Sequence, residues 1–135
     1  MLITDYQQIL RIAKNAKNVA IVGISKNKER ASYKIAEQLR NVYNLFFVNP
    51  KYAGEKIFGN KIYSSLKEIK EKIDIVDVFR NPKFIEDIIK DAIQIRANVI
   101  WLQPGAENME VIEKYKEKID IIYNNCLGVV SKLIA

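Results

Sequence analysis

The chain has 135 residues, a formal charge of +6, 49% hydrophobic residues, one cysteine and no histidine. That length suits one domain with a real core; a lone Cys126 excludes an intramolecular disulfide and any multi-cysteine zinc site, and the lack of imidazole excludes Ser-His triads, HExxH metal sites and phosphohistidine relays. The positive charge fits an anionic partner, but the basic residues alternate with acidic ones in KEIKEKID and EKYKEKID, as on solvated helix faces with i,i+4 pairing, so nucleic acid is not expected.

No apolar run approaches the ~20 residues that a membrane-spanning helix needs. The N-terminal MLITDYQQILRIAKNAK puts acidic and amide residues before its basic ones and has no small-residue cleavage site. No secretory signal is therefore expected, and the address reads as cytoplasmic. Abundant Lys, Glu and Ile with few Cys and Met suit a thermophile, and equally a genome with a nucleotide bias.

In chain order, Thr4 to Lys17 carries apolar residues at Tyr6, Ile9, Leu10 and Ala13, the spacing of an amphipathic helix, with Thr4 or Asp5 as its cap. VAIVG (Val19 to Gly23) is apolar on both faces, as a central parallel strand would be. Ala31 to Val42 reads as a helix with Ile35, Ala36, Leu39 and Val42 on its buried face. LFFVNP (Leu45 to Pro50) is a second strand stopped by proline, and KYAGEKIFGNKIY a turn-rich loop. Ser65 to Lys72 reads as a short helix, Ile73 to Phe79 as a third strand, and Pro82 to Ile95 as a helix with proline in its first turn. Asn98 to Gln103 is a fourth strand, Asn108 to Lys118 a helix, Ile119 to Tyr123 a fifth strand, and NNCLGVVSKLIA closes the chain. The alternation predicts a single α/β domain over 1–135, an open parallel sheet of about five strands with helices on both faces. Ligands of such sheets sit beyond the carboxyl ends of the strands, where the strand order reverses.

The residues following each strand therefore carry the functional reading. After the first come Gly23, Ile24, Ser25, Lys26, Asn27, Lys28, Glu29, Arg30, Ala31 and Ser32. The glycine permits a tight turn, and the amides at the start of the next helix, with its dipole, form an anion site. Ser25 and Ser32 add hydroxyls; Lys26, Lys28 and Arg30 add charge. On its own, Gly-x-Ser reads equally well as a polar loop with a helix cap. The second strand ends in Asn49-Pro50-Lys51, without the carboxylate that would accept hydrogen bonds from the ribose of NAD. A cation there instead fits a ribose phosphate, as NADP and coenzyme A (CoA) both carry. The third ends in Phe79-Arg80, where a guanidinium can stack on adenine or pair with phosphate and a phenylalanine can wall an apolar tail. The fourth ends in Trp101-Leu102-Gln103; the tryptophan reads as core and Gln103 as placed to meet a ligand.

In this order, the segments VAIVGISKNKERASYKIAEQL, VNPKYAGEKIFGNKIYSSLKEI, DIVDVFRNP and VIWLQPG resemble the small stand-alone CoA-binding proteins of the Rossmann type. Asn125-Cys126-Leu127-Gly128-Val129 is similar to the NCxGV element in the CoA-binding domain of ADP-forming acyl-CoA synthetases and succinyl-CoA synthetase α subunits. Together the matches run from about Asn18 to Cys126. The resemblance implies a three-layer Rossmann-like fold, with Ser25 to Lys28 on the CoA phosphates, Lys51 at the nucleotide end, and Trp101 to Gln103 along the pantetheine. The stand-alone group commonly has proline where Lys28 stands and a different tail after Cys126. Synthetases of this kind pass phosphate through a histidine and need an ATP-grasp domain; the chain has neither, so the resemblance implies a non-catalytic binder of CoA or an acyl-CoA. The alternatives are an NADP-dependent oxidoreductase and the CoA-binding subunit of a split acyl-CoA synthetase. Cys126 reads mainly as a small buried hydrophobe, with a mixed disulfide to CoA as the sharper alternative. The apolar Leu133-Ile134-Ala135 end is a candidate homo-oligomer contact.

Overall fold

The computed structural model describes residues 1–134. Seven strands form one sheet: β1 (Asn18–Val22), β2 (Asn44–Val48), β3 (Lys56–Ile57), β4 (Asn60–Tyr63), β5 (Ile75–Val78), β6 (Val99–Leu102) and β7 (Asp120–Tyr123). Their spatial order is β3-β4-β2-β1-β5-β6-β7, all parallel except the β3-β4 pair. The helices are α1 (Tyr6–Asn15), α2 (Ala31–Leu39), α3 (Ile85–Gln94), α4 (Met109–Tyr115) and α5 (Leu127–Ile134).

The apolar strands β1, β5 and β6 have every side chain buried or nearly so, as burial on both faces requires. On one face, Ile21, Phe47, Trp101 and Ile122 pack against Ile9 and Ala13 of α1, Ala36 and Leu39 of α2, and Leu127 and Val130 of α5. On the other, Ala20, Val48, Val76 and Ile100 meet Ile85 and Ile89 of α3 and Ile112 and Tyr115 of α4. The result is three-layered and Rossmann-like, and the chain order reverses between β1 and β5.

The five expected strands are present, with two more from the segment read as loop. Ile57 and Asn60 pair across a two-residue turn, Phe58-Gly59, in which both residues have positive φ (51° and 78°). That geometry matches the twist of a hairpin but is unusual for phenylalanine. Packing offsets it: the Phe58 ring lies 5.0 Å from that of Tyr33 and 6.2 Å from that of Phe47, and Arg40 stacks on it at 4.6 Å. Strand β4 then joins the free edge of β2.

The helix expected over Ser65 to Lys72 is only a 3-10 turn, Leu66–Glu68, closed by a reciprocal cap between Ser65 and Glu68. Beyond it the chain extends so that Ile69 and Ile73 reach the core. The C-terminal segment, assigned no element from sequence, is α5, whose Gly128 packs against Ile35 of α2. Gln38 of α2 donates to the Gly128 carbonyl at 2.6 Å and to the Ser131 hydroxyl at 3.1 Å. Of the apolar end expected to mediate oligomer contact, Leu133 is exposed, Ile134 packs partly on the core, and Ala135 lies outside the described residues. No helix among the described residues is long and apolar enough to cross a membrane.

Candidate nucleotide-binding site

Gly23 sits at the reversal point, directly after β1. Its φ is +91°, and a Cβ there would lie 2.2 Å from the carbonyl oxygen of Phe79, just after β5. Both the backbone conformation and this close approach require glycine.

The loop from Ser25 to Arg30 is braced from within. The Ser32 hydroxyl accepts from the Ser25 amide at 3.0 Å, the Ser25 hydroxyl from the Asn27 amide at 3.1 Å, and the Asn27 side chain from the Glu29 amide at 3.0 Å. The N–H groups of Lys26 and Lys28 find no such partner among the described residues. No side chain caps the first turn of α2, because Arg30 occupies the capping position without a hydrogen bond from its side chain. The loop thus holds its own shape and leaves a helix N-terminus open, the arrangement that favours an anion. A depression at this helix end is lined by Gly23, Ser25, Glu29, Arg30, Ala31, Ser32 and Phe79. Lys26 pairs with Glu55 at 2.8 Å, whereas Lys28, Arg30 and Lys51 form no ion pair among the described residues.

Asn49 ties this loop to the end of β2. Its Nδ2 donates to the Ile24 carbonyl at 2.8 Å while its Oδ1 accepts from the Lys51 amide at 3.0 Å. Pro50 and Lys51 lie in the 3-10 turn Pro50–Tyr52, with the Lys51 ammonium over the Tyr52 ring. On the opposite face of the sheet is a cleft of about 250 Å³, lined by Val22, Gly23, Val48, Asn49, Pro50, Ser64, Ser65, Leu66, Arg80, Phe84, Asp87, Ile88 and Asp91. Gly23 borders both this cleft and the depression at α2.

The profile of the CoA binding domain family matches residues 17–132, a span that runs from β1 into α5 and leaves out α1. The chain belongs to the CoA binding domain family. It is 33% identical over 124 residues to the uncharacterized protein YneT of Bacillus subtilis, covering 90% of each chain. It is 32% identical over 137 residues to the ADP-forming acetate–CoA ligase of Methanocaldococcus jannaschii, covering 94% of this chain but 19% of that enzyme's length. Among solved structures, cell-free ID.343 from Thermus thermophilus superposes with a TM-score of 0.91 at 31% identity, over 98% of this chain and all of that one.

Within this CoA binding domain, the expected site residues divide into groups. Gly23, Asn49, Pro50 and Arg80 line the cleft, and Gly23, Ser25, Arg30, Ser32 and Phe79 line the depression at α2; Lys26, Asn27, Lys28 and Lys51 lie on the loops beside them, outside either lining, with the Lys26 ammonium turned to Glu55. Ile24 is fully buried, and only its carbonyl serves the site, through Asn49. Trp101 and Leu102, expected along the pantetheine, also have no exposed surface; they point into opposite core layers, because a strand buried on both faces has no free side. The indole N–H of Trp101 donates to the Asn125 carbonyl at 2.8 Å, and Gln103 accepts from the Leu127 amide at 3.1 Å, so both position the segment around Cys126. Cys126 is half-buried immediately before α5. The wall formed by Ser64, Ser65, Phe84, Asp87 and Asp91 escaped the reading of strand ends. Its one sequence signal was the shared helical face of Phe84, Asp87, Ile88 and Asp91 in PKFIEDIIKD.

Asp77 lies apart from this site. It is in β5 between Ile21 and Trp101, wholly buried, with neither carboxylate oxygen hydrogen-bonded. Burial pushes its carboxyl well above the usual aspartate range.

Proposed function

We propose that this domain binds coenzyme A, free or acylated, with no catalytic step of its own. The observation that carries the reading is the uncapped N-terminus of α2 at the strand-order reversal, flanked by Lys28 and Arg30, in a chain of the CoA binding domain family. The pyrophosphate lies over Gly23 against the loop Ile24 to Ser32, where the free N–H groups of Lys26 and Lys28, the helix start and Arg30 supply charge and donors. Lys51 meets the ribose phosphate, with Asn49 holding the two loops in register. Phe79 and Arg80 border the path of the ligand between the two depressions, and Gln103 supports the tail side through the segment preceding α5.

Calorimetric titration with CoA, dephospho-CoA and NADP tests this reading. CoA is expected to bind tightest, with dephospho-CoA weakened by loss of the Lys51 contact. Equal, negligible heats for all three would end the proposal, and tighter binding of NADP would favour the oxidoreductase alternative. The similarity to one segment of an acetate–CoA ligase supports a second reading, the CoA-binding part of a larger assembly. Co-purification of an ATP-using chain from the native host would favour it.

Cys126, half-buried at the start of α5, is a candidate for thiol exchange. Its thiolate would attack one sulfur of oxidised CoA, forming a protein–CoA disulfide and releasing one CoA thiolate. Intact-mass measurement should show an adduct that disappears in Cys126→Ser; no adduct on the native protein removes the idea.

A further inference from the structure

Lys26, in the loop after β1, presents two groups in different states. Its N–H has no acceptor among the described residues, whereas its ammonium donates to the Glu55 carboxylate at 2.8 Å. Glu55 lies 29 residues away, directly before β3, and its backbone is fixed on both sides. Its N–H donates to the Tyr52 carbonyl at 3.0 Å, and its carbonyl accepts from the Ile62 amide at 2.8 Å. Tyr52 ends the 3-10 turn that carries Lys51, so the segment that holds one cation of the site also delivers a carboxylate onto another. Lys28 and Arg30 form no ion pair among the described residues. Within the loop, Lys26 alone is held by an anion.

The loop does not need this pair for its shape. Ser32, Ser25 and Asn27 brace it from within, and Asn49 ties it to the end of β2. Both side chains of the pair are about half-exposed, where an ion pair adds little to stability.

We propose that Glu55 competes with the ligand's pyrophosphate for the Lys26 ammonium, so that binding transfers Lys26 from carboxylate to phosphate. The inference rests on the CoA reading above. Carboxylate and phosphate oxygens make the same kind of charge-assisted contact with an ammonium, and a phosphate arriving at Lys26 is repelled by a carboxylate that stays there. Glu55 therefore lowers affinity and is no ligand contact, and loss of its charge strengthens binding. A purely structural pair would act in the opposite sense: without Glu55 the loop would loosen and CoA would bind more weakly.

Calorimetric titration of CoA into the wild type, Glu55→Gln, Lys26→Met and the double variant forms a complete cycle. Glu55→Gln is expected to bind CoA roughly fivefold more tightly than the wild type, the effect of one exposed ion pair. In the Lys26→Met background the same change should alter affinity by about twofold or less, the share left to screened repulsion. The gain should also fade as the salt is raised to about 1 M, where charges are screened within about 3 Å. Unchanged or weaker binding by Glu55→Gln, or an undiminished gain without Lys26, would overturn the proposal while leaving CoA binding intact. If neither the wild type nor Glu55→Gln bound CoA, the CoA reading itself would fall and this competition with it.

Discussion

Replacing Asp77 with valine is expected to stabilise the protein and to remove part of its pH dependence. The carboxyl is wholly buried in the central strand β5, with neither oxygen hydrogen-bonded and with Ile21 and Trp101 as its cross-strand neighbours. A buried polar group without a partner costs about 1–3 kcal/mol even when neutral. Burial also raises its native pKa well above the ordinary value. The sign follows: the unfolded chain releases this proton at the ordinary aspartate pKa, whereas the folded chain retains it to higher pH. Stability is therefore greatest below the unfolded pKa and is lost as the pH rises toward the native one, by about 1.4 kcal/mol per pH unit within that window. Valine is close in volume, apolar and suited to a strand, so it should recover about 1–3 kcal/mol at low pH and more at neutral pH. Tyr43, whose hydroxyl is pushed up to about 12 by burial and by the charge of Asp77, titrates above this range. Urea unfolding of wild type, Asp77→Val and Asp77→Asn across pH 4 to 8 measures the effect. Both variants should lose the slope, and only valine should gain stability throughout. Stability curves for wild type and Asp77→Val that run parallel across this range would refute the reasoning.

Gly23→Ala should cost about 3 kcal/mol or more, because it combines a left-handed backbone with a contact too close for any Cβ; urea unfolding reads the loss, and a near-neutral result would show that β1 and β5 can part at this point. Arg30→Ala and Lys51→Ala, both at exposed positions without an ion pair among the described residues, should each weaken CoA by about 1–3 kcal/mol with little change in melting temperature. Unchanged affinity in both would place the phosphates elsewhere. Gly128→Ala should be neutral or stabilise by up to about 1 kcal/mol, since the new methyl would meet Ile35 and Gln38 at 3.4 Å, an ordinary contact distance, and alanine is the better helix former in α5; a clear fall in melting temperature would show that α5 packs on α2 too tightly to admit a methyl group.

The layered fold was legible because its strands are apolar on both faces and its helices carry regular apolar stripes. Gly23 and the Asn49-Pro50-Lys51 ending were legible for a different reason: they follow strands, where an open parallel sheet places ligands. The β3-β4 hairpin was hidden because its turn puts phenylalanine in a conformation usually left to Gly, Asn or Asp, and only the distant aromatic partners Tyr33 and Phe47 explain that choice. Trp101 was read both as core and, through the resemblance, as a contact of the pantetheine arm. A strand position does not tell whether a large side chain meets a ligand or the opposing helix, and here it meets the core. The acidic wall of the cleft comes from within α3 and follows no strand, so the placement of ligands at strand ends gives no sign of it.

Backbone amide chemical-shift mapping on addition of CoA tests the central claim most directly. The account predicts saturable shifts centred on Gly23, Lys26, Lys28, Ala31 and Ser32, extending to Lys51, Arg80 and Asp87 on the other side of the reversal point. Saturable shifts centred elsewhere, or none at millimolar CoA, would contradict it.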